Sequence, residues 1–404
     1  MKTIEREFIP VILGNDINTY SLARAFYEEY KTKSIVIGKY SSGPSSNSKI
    51  IDFYAEKNLD RQEKFMETID TIASKYSSKK IIILGCGDSY AELIMKNKNS
   101  FKENVIAPYI EEELMNDLMK KSKFYEMCDK YDLEYPKTLI HTRNMGENFT
   151  LFFDFPIILK PSNNIAYWEH EFKGQKKVYK LTNMEDLKAT INSIYTAGYD
   201  DSLIIQEFVP GEDSHLRIMI CFSGKDKKVK LMSLAHVMLE EHTPHGLGNC
   251  ALLMNEYNKE LSEMIKNFLE NIQYEGFSTF DIKYDYRDDK FKVLEVNLRQ
   301  GRSNYYVTGA GYNLAKYVVE EYIYNNSMDF EIVNVENLWT VIPMQIAHKY
   351  VKDKNHIAKI KDLIRDGKVV NPLFLKGDNN IKRLLFLYKS HISQFIKFKK
   401  YFVR

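Results

Sequence analysis

Apolar and polar positions follow a repeating order along the first third of the chain. Phe8–Leu13 is a short apolar run that stops at Gly14. The stretch Ile17–Tyr30 follows, in which Leu22, Ala23, Phe26 and Tyr30 fall near one face of a helix. Residues 34–37 and 80–84 are further runs of the buried-strand kind, and the second leads into Gly85-Cys86-Gly87-Asp88 and another helical stretch. Strand–turn–helix repetition predicts a parallel sheet covered by helices. The turns Gly14-Asn15-Asp16 and Gly85-Cys86-Gly87-Asp88 then share the carboxyl edge of that sheet, the edge at which open α/β sheets tend to bind ligands. For either turn alone, glycines that permit a tight bend are explanation enough. Neither is a G-x-G-x-x-G fingerprint, so a dinucleotide site is not expected.

The character changes around residues 105–119, where Pro108 and the acidic run Glu111-Glu112-Glu113 mark the entry to a helix, with negative charge at its positive end. From there to about residue 330 strands alternate apolar and polar positions, as in a mixed α+β region. The last 70 or so residues are lysine-rich.

Composition narrows the classes. With 404 residues, 44% of them hydrophobic and 13% aromatic, the chain can bury a large core; its length suggests about two to three domains. Basic and acidic residues number 57 and 55, a net charge of +2. That balance argues against nucleic acid as a partner, because phosphate-backbone binding needs a basic face. Cys86, Cys128, Cys221 and Cys250 form no C-x-x-C pair, so neither a zinc knuckle nor a disulfide framework is indicated. Glu5, Arg6 and Glu7 stand where a signal peptide needs apolar residues. No apolar run approaches the ~18 residues of a membrane span, and a cytoplasmic location is expected.

The chemistry concentrates in three segments. In Leu294-Glu295-Val296-Asn297-Leu298-Arg299 a strand would project Glu295, Asn297 and Arg299 on one face and the aliphatic residues on the other. Residues 277–285 alternate likewise, with Thr279, Asp281, Lys283 and Asp285 on one side. A hairpin through Arg287-Asp288-Asp289-Lys290 would bring Asp281 to Glu295. Two carboxylates and an amide then suit Mg²⁺, and Arg299 a terminal phosphate. An exposed polar face is the plainer reading of one strand. Two neighbouring strands, followed by Gly301-Arg302-Ser303-Asn304, weaken it. The second segment, Leu203-Ile204-Ile205-Gln206-Glu207-Phe208-Val209-Pro210-Gly211-Glu212-Asp213, is a strand entering a hinge. Its backbone groups can meet a purine edge and a nearby carboxylate a ribose. After it, 215–220 alternates again, with His215 and Arg217 opposite Leu216 and Ile218. Third, Pro156-Ile157-Ile158-Leu159-Lys160-Pro161 ends a buried strand on a lysine, which is seldom buried without an anion. Lys121, upstream on a helix, could join Lys160 on a polyphosphate.

Lys121, Lys160, the hinge with Glu212, Asp281, and Glu295-Val296-Asn297 stand in the order of the ATP-grasp superfamily, which residues 1–310 resemble. The resemblance implies an α/β and α+β chain: an ATP-grasp fold with an N-terminal Rossmann-like (pre-ATP-grasp) parallel-sheet domain. Its parts would be that domain (1–118), a small lobe (119–202), a large lobe with the metal site (203–330) and a C-terminal extension (331–404). It implies ATP and Mg²⁺ as cofactors. Lys121 and Lys160 become phosphate ligands, Glu207 and Val209 with the flanking Gln206 and Phe208 the adenine site, and Glu212 the ribose ligand. Asp281, Glu295 and Asn297 become metal ligands. Lys123 competes with Lys121 for its role. The sequence departs from the family after Lys160, where Ser162-Asn163-Asn164-Ile165-Ala166-Tyr167-Trp168 replaces the usual glycine-rich loop; Ser162 and Asn163 are the donors available instead.

A finer resemblance, to the D-aspartate ligases of bacterial peptidoglycan synthesis, rests on Phe8–Leu13 with Gly14-Asn15-Asp16, on Lys160-Pro161-Ser162-Asn163 through Tyr167-Trp168, and on Pro210-Gly211-Glu212-Asp213-Ser214. It implies an amino-acid substrate, D-aspartate, activated as an acyl phosphate, and an amine acceptor on a nucleotide-linked muropeptide. Arg217, Arg299 and Arg302 are then candidates for the phosphoryl group and the substrate carboxylate. Residues 242–249 read as a loop that could close over the acyl phosphate; a zinc pair of His242 and His245 is not favoured. A ligase for another amino acid or a dipeptide, and a nucleotide-binding protein without turnover, are the alternatives. A homodimer is left open.

Residues 381–404 contain seven basic side chains and no acidic one. Leu384, Leu385, Tyr388, Ile392, Phe395 and Phe398 recur near helical spacing. Such a helix either lies on an anionic membrane surface or packs its stripe against the protein.

Overall fold

The structure, a computed structural model, describes residues 1, 3–244 and 246–402. They form two compact units. The larger comprises Met1–Glu112, Glu212–Asp281 and Glu295–Arg404, the smaller Glu113–Gly211 and Ile282–Leu294.

The larger unit begins with strands Phe8–Leu13 (β1), Ser34–Gly38 (β2), Ile51–Ala55 (β3), Lys80–Gly85 (β4) and Val105–Ile106 (β5), in the parallel order β3-β2-β1-β4-β5. Val11, Ile12, Val36, Ile37, Ile82 and Ile83 are fully enclosed, as expected where helices cover both faces of a sheet. The helix Ile17–Tyr30 starts at Asp16, whose carboxylate accepts from the Thr19 N–H at 3.2 Å, and stops at Lys31 in a left-handed conformation.

In the smaller unit the strands are Thr138–His141 (β6), Ile157–Pro161 (β7), Tyr179–Leu181 (β8) and Leu203–Glu207 (β9), ordered β6-β9-β7-β8 with antiparallel pairing. Ile157, Leu159, Leu203 and Ile205 face a core completed by Leu187, Ile191 and Ile194 of the helix Met184–Thr196.

The second sheet runs through Leu216–Ser223 (β10), Val229–Glu240 (β11), Cys250–Glu256 (β12), Gly276–Asp285 (β13), Lys290–Asn297 (β14), Glu331–Ile332 (β15), Leu338–Thr340 (β16) and Val369–Val370 (β17). Its order is β14-β13-β10-β11-β12-β16-β17, with β15 beside β11. The hairpin β13–β14 is the one expected from alternation, and its outer end, Ile282–Leu294, belongs to the smaller unit. Strands β10 and β11 are buried along nearly their whole length rather than on alternate residues. Both faces are covered there: the Tyr306 hydroxyl, for one, receives the Ile220 N–H at 3.2 Å. The expected strand 215–220 starts one residue late, since His215 closes the turn Asp213–His215.

Gly276 has φ +90, and a Cβ there would run into the Pro108 carbonyl oxygen. Gly276→Ala is expected to cost roughly 2 kcal/mol, from a conformation L-residues avoid and a backbone clash. Thermal denaturation measures it, and an unchanged midpoint would refute the argument.

Candidate active site

The carboxylates Asp281 and Glu295 meet across the hairpin. Asp281 is half-buried and Glu295 exposed. The Asn297 amide donates to Asp281 Oδ2 at 3.1 Å, and the Asp281 and Glu295 carboxyls lie close enough to act on each other. Burial, then the charge of Glu295, pushes the Asp281 carboxyl well above the usual range. Two carboxylates in contact repel when both are ionised, and a divalent cation removes that repulsion. Two carboxylates and one amide oxygen, with phosphate oxygens to complete the shell, make a donor set that fits Mg²⁺. Among the described residues no group of three or more His, Cys, Asp and Glu side chains could hold a metal, so this set depends on ligand oxygens.

Arg299, expected on this strand, lies two residues beyond its end. Its Nε donates to Asp88 Oδ1 at 2.7 Å, and its charge acts on Asp281. Asp88 closes the turn Gly85-Cys86-Gly87-Asp88, so a turn that glycine geometry alone could explain also delivers a carboxylate to Arg299. Gly85 is required there, because a Cβ would lie 2.7 Å from the Ala91 nitrogen. Below this edge Gln300, fully buried, donates to the Gly85 carbonyl at 3.1 Å.

The other two candidate arginines are held by acids that sequence reading missed. Arg302 donates to Glu241 at 2.7 Å and to the Cys250 carbonyl at 3.1 Å. Arg217, buried on β10, forks onto both Glu256 oxygens and donates to the Ser214 and Leu216 carbonyls at 3.0 Å each. Glu212 pairs with Lys352 at 2.6 Å on the wall of a cavity of about 510 Å³, which Asp213, Met238, Tyr350 and Phe402 also line. His242 bonds Asp213 at 2.9 Å; His245 lies outside the described residues. The loop 242–249 is folded on itself by the Gly246 and Leu247 N–H groups, which reach the Thr243 carbonyl at 2.8 and 3.1 Å.

On the smaller unit, Lys160 is the penultimate residue of β7 and donates to Gln206 Oε1 at 3.2 Å. Gln206 in turn donates to Tyr125 and Thr138 hydroxyls at 3.0 and 2.8 Å. Lys121 is the first residue of the helix Lys121–Lys130 and half-buried; Lys123 is exposed and paired with Glu126 at 2.8 Å. Lysines at a helix N-terminus oppose its dipole and cost stability, and the same arrangement attracts an anion.

The hinge offers less than its sequence suggests. The Glu207 carboxylate accepts from the Lys137 N–H, Lys292 and Arg287 at 2.9, 3.0 and 3.1 Å. The Glu207 and Phe208 N–H groups are bonded to the carbonyls of Lys137 and Pro156. The Phe208 ring lies 3.7 Å from the Lys180 ammonium, and Val209 is buried. After Lys160 the chain enters the short helix Asn164–Trp168, with the Ala166 N–H on Asn163 Oδ1 at 3.2 Å. The Ser162 and Asn163 N–H groups are bonded to Ser202 O and the Tyr199 hydroxyl.

No family model matches the sequence. The chain is 38% identical to the D-aspartate ligase of Enterococcus faecium, across 100% of this chain and 99% of that protein. Among solved structures, N5-carboxyaminoimidazole synthetase of Staphylococcus aureus complexed with ADP superposes with a TM-score of 0.59 at 12% identity, over 84% of this chain and 83% of that one. The biotin carboxylase domain of the Hydrogenobacter thermophilus 2-oxoglutarate carboxylase, in complex with MgADP, ADP and bicarbonate, gives 0.58 at 12% identity, over 78% and 70%. At such identities the likeness concerns the fold.

Proposed function

This chain belongs to the D-aspartate ligase family and is an ATP-dependent carboxylate–amine ligase of the ATP-grasp fold, and from that premise we propose that it activates the β-carboxylate of D-aspartate and joins it to a lysine side chain of a peptidoglycan precursor. The observation that carries the ligase chemistry is the Asp281–Glu295–Asn297 cluster with Arg299 beside it. Full-length identity to a D-aspartate ligase supports the choice of substrate.

In this reading a β-carboxylate oxygen of D-aspartate attacks the γ-phosphorus of ATP, and the bond to the β,γ-bridging oxygen breaks to release ADP. The acceptor amine then attacks the acyl carbon of the β-aspartyl phosphate, loses a proton, and expels phosphate. Lys121 and Lys160 neutralise phosphate charge, and Arg299 and Arg302 orient the phosphoryl group and the substrate carboxylate; Arg217, the third candidate, is already held by Glu256. The backbone from Gln206 to Val209 receives adenine, and Glu212 the ribose. Ser162 contributes a hydroxyl to the phosphates. Asp281, Glu295 and Asn297 would hold Mg²⁺, which supplies charge neutralisation across the phosphates. No protein nucleophile is needed; positioning and charge neutralisation carry the rate. ATP and a nucleotide-linked acceptor place the reaction in the cytoplasm.

Hydroxylamine traps acyl phosphates, which makes the donor testable without the acceptor. With ATP, Mg²⁺ and hydroxylamine, D-aspartate is expected to give β-aspartyl hydroxamate and stoichiometric ADP, with L-aspartate and D-glutamate at least about tenfold slower. Hydroxamate from a different acid alone would move the assignment to that acid. None from any acid would remove it.

A further inference from the structure

The C-terminal helix Ile381–Tyr401 has one face that the protein covers. Arg383, 1% exposed, donates to the Pro44 and Leu373 carbonyls at 3.0 and 2.8 Å, pairs with Asp378 at 3.4 Å and lies over the Tyr20 ring. Leu387 and Phe398 are buried on the same side, and Phe398 meets Tyr350. These contacts fix which way the helix is turned.

The opposite face is apolar and open. Ile381, Leu385, Tyr388, Ile392 and Ile396 are 75%, 67%, 55%, 61% and 69% exposed. Their spacing keeps them in one stripe along the helix at 3.6 residues per turn. Lys382, Lys389 and Lys400 fall along one border of that stripe by the same geometry, and Lys399 stands within it at its C-terminal end. Residues 381–404 carry no acidic side chain.

We infer that this outward stripe with its lysine border docks the enzyme on an anionic lipid bilayer surface. A soluble surface seldom leaves such a run of large aliphatic side chains in water. A helix lying flat in the headgroup region accounts for both features: the stripe enters the acyl boundary while the lysines extend to lipid phosphates. A second copy of the chain fits worse, since pairing two stripes would bring lysine rows together with no acid on either helix to compensate. Crossing the bilayer is not involved, because no helix among the described residues is long and apolar enough. Residues that the sequence allowed as a core-packing stripe, Leu385, Tyr388, Ile392 and Phe395, are exposed, whereas Phe398 is buried. The two alternatives for this helix therefore apply to its two faces.

The full chain is tested by co-sedimentation with vesicles of phosphatidylcholine alone and of phosphatidylcholine mixed with phosphatidylglycerol. Binding is expected only to the mixed vesicles, weakening with salt. The variant Leu385→Glu/Ile392→Glu should lose at least about a hundredfold in vesicle affinity, and Lys382→Gln or Lys389→Gln about fivefold each. Both are surface changes, so the melting temperature and ADP release in solution should match the parent. No sedimentation with mixed vesicles, or binding untouched by both kinds of variant, would overturn the inference. So would a dimer in solution that Leu385→Glu/Ile392→Glu converts to monomer, which would assign the stripe to a second copy.

Discussion

Glu295→Gln is expected to reduce Mg²⁺-dependent ADP release by about three orders of magnitude, the range seen when a charge-stabilising group at a phosphoryl-transfer centre is lost. The same change should leave the nucleotide-free protein as stable or slightly more stable. Glu295 is exposed and its charge, after burial, pushes the neighbouring Asp281 carboxyl upward. An amide removes that repulsion while keeping the shape and one oxygen donor. Activity and stability therefore move in opposite directions, which separates a ligand from a structural residue. Asp281→Asn should behave alike in activity. Steady-state ADP release and thermal denaturation with and without MgADP read both effects. Activity retained within tenfold, or a clear loss of stability without nucleotide, would show that the pair is not the metal site.

Local periodicity made much of this molecule legible. The helix Ile17–Tyr30 was legible because Leu22, Ala23, Phe26 and Tyr30 share one face, which is a local signal. The hairpin was legible for the same reason: alternation at Asp281 and at Glu295, Asn297 and Arg299 requires only that two adjacent strands pair. Strand Ile51–Ala55 escaped notice because it lies at the sheet edge and is largely exposed after Ile51, which leaves no apolar run. Partner choice escaped too. Nothing near Arg217 in the chain points to Glu256, nor near Arg302 to Glu241, since strand order set by tertiary packing makes those pairs. The C-terminal helix shows the limit of amphipathic reasoning. Its apolar residues define a face, but the covered face is set by Arg383, whose buried hydrogen bonds outweigh the pull of the aliphatic stripe. Periodicity reports that a face exists and leaves open which environment takes it.

Lys292→Met is expected to destabilise the smaller unit by about 3 kcal/mol at neutral pH, the lower end for breaking a buried ion network by removing one member. Lys292 is buried and donates to Asp285 at 2.7 Å and Glu207 at 3.0 Å; the Asp285 side chain is 0% exposed. Methionine fills the space but leaves two enclosed carboxylates with Arg287 as their remaining cation. The pH dependence gives a second signature. Arg287, then Lys292, hold the Asp285 carboxyl well below the usual range against the cost of burial. A depressed folded-state pKa contributes stability above the unfolded value of about 3.9, and that stability is lost as pH falls below it. In the variant Asp285 has lost one of the two cations that lower its carboxyl, so less of that stability remains to be lost in acid. The gap between parent and variant should therefore hold from pH 7 to about pH 5 and narrow as pH falls below about 4. Denaturant midpoints across that range measure it, and a gap that stays constant would mean that the loss comes from packing alone. Because Glu207 ends β9 where the hinge begins, the variant should also raise the KM for ATP more than it lowers kcat. A hinge that carried no part of the nucleotide would leave that KM unchanged.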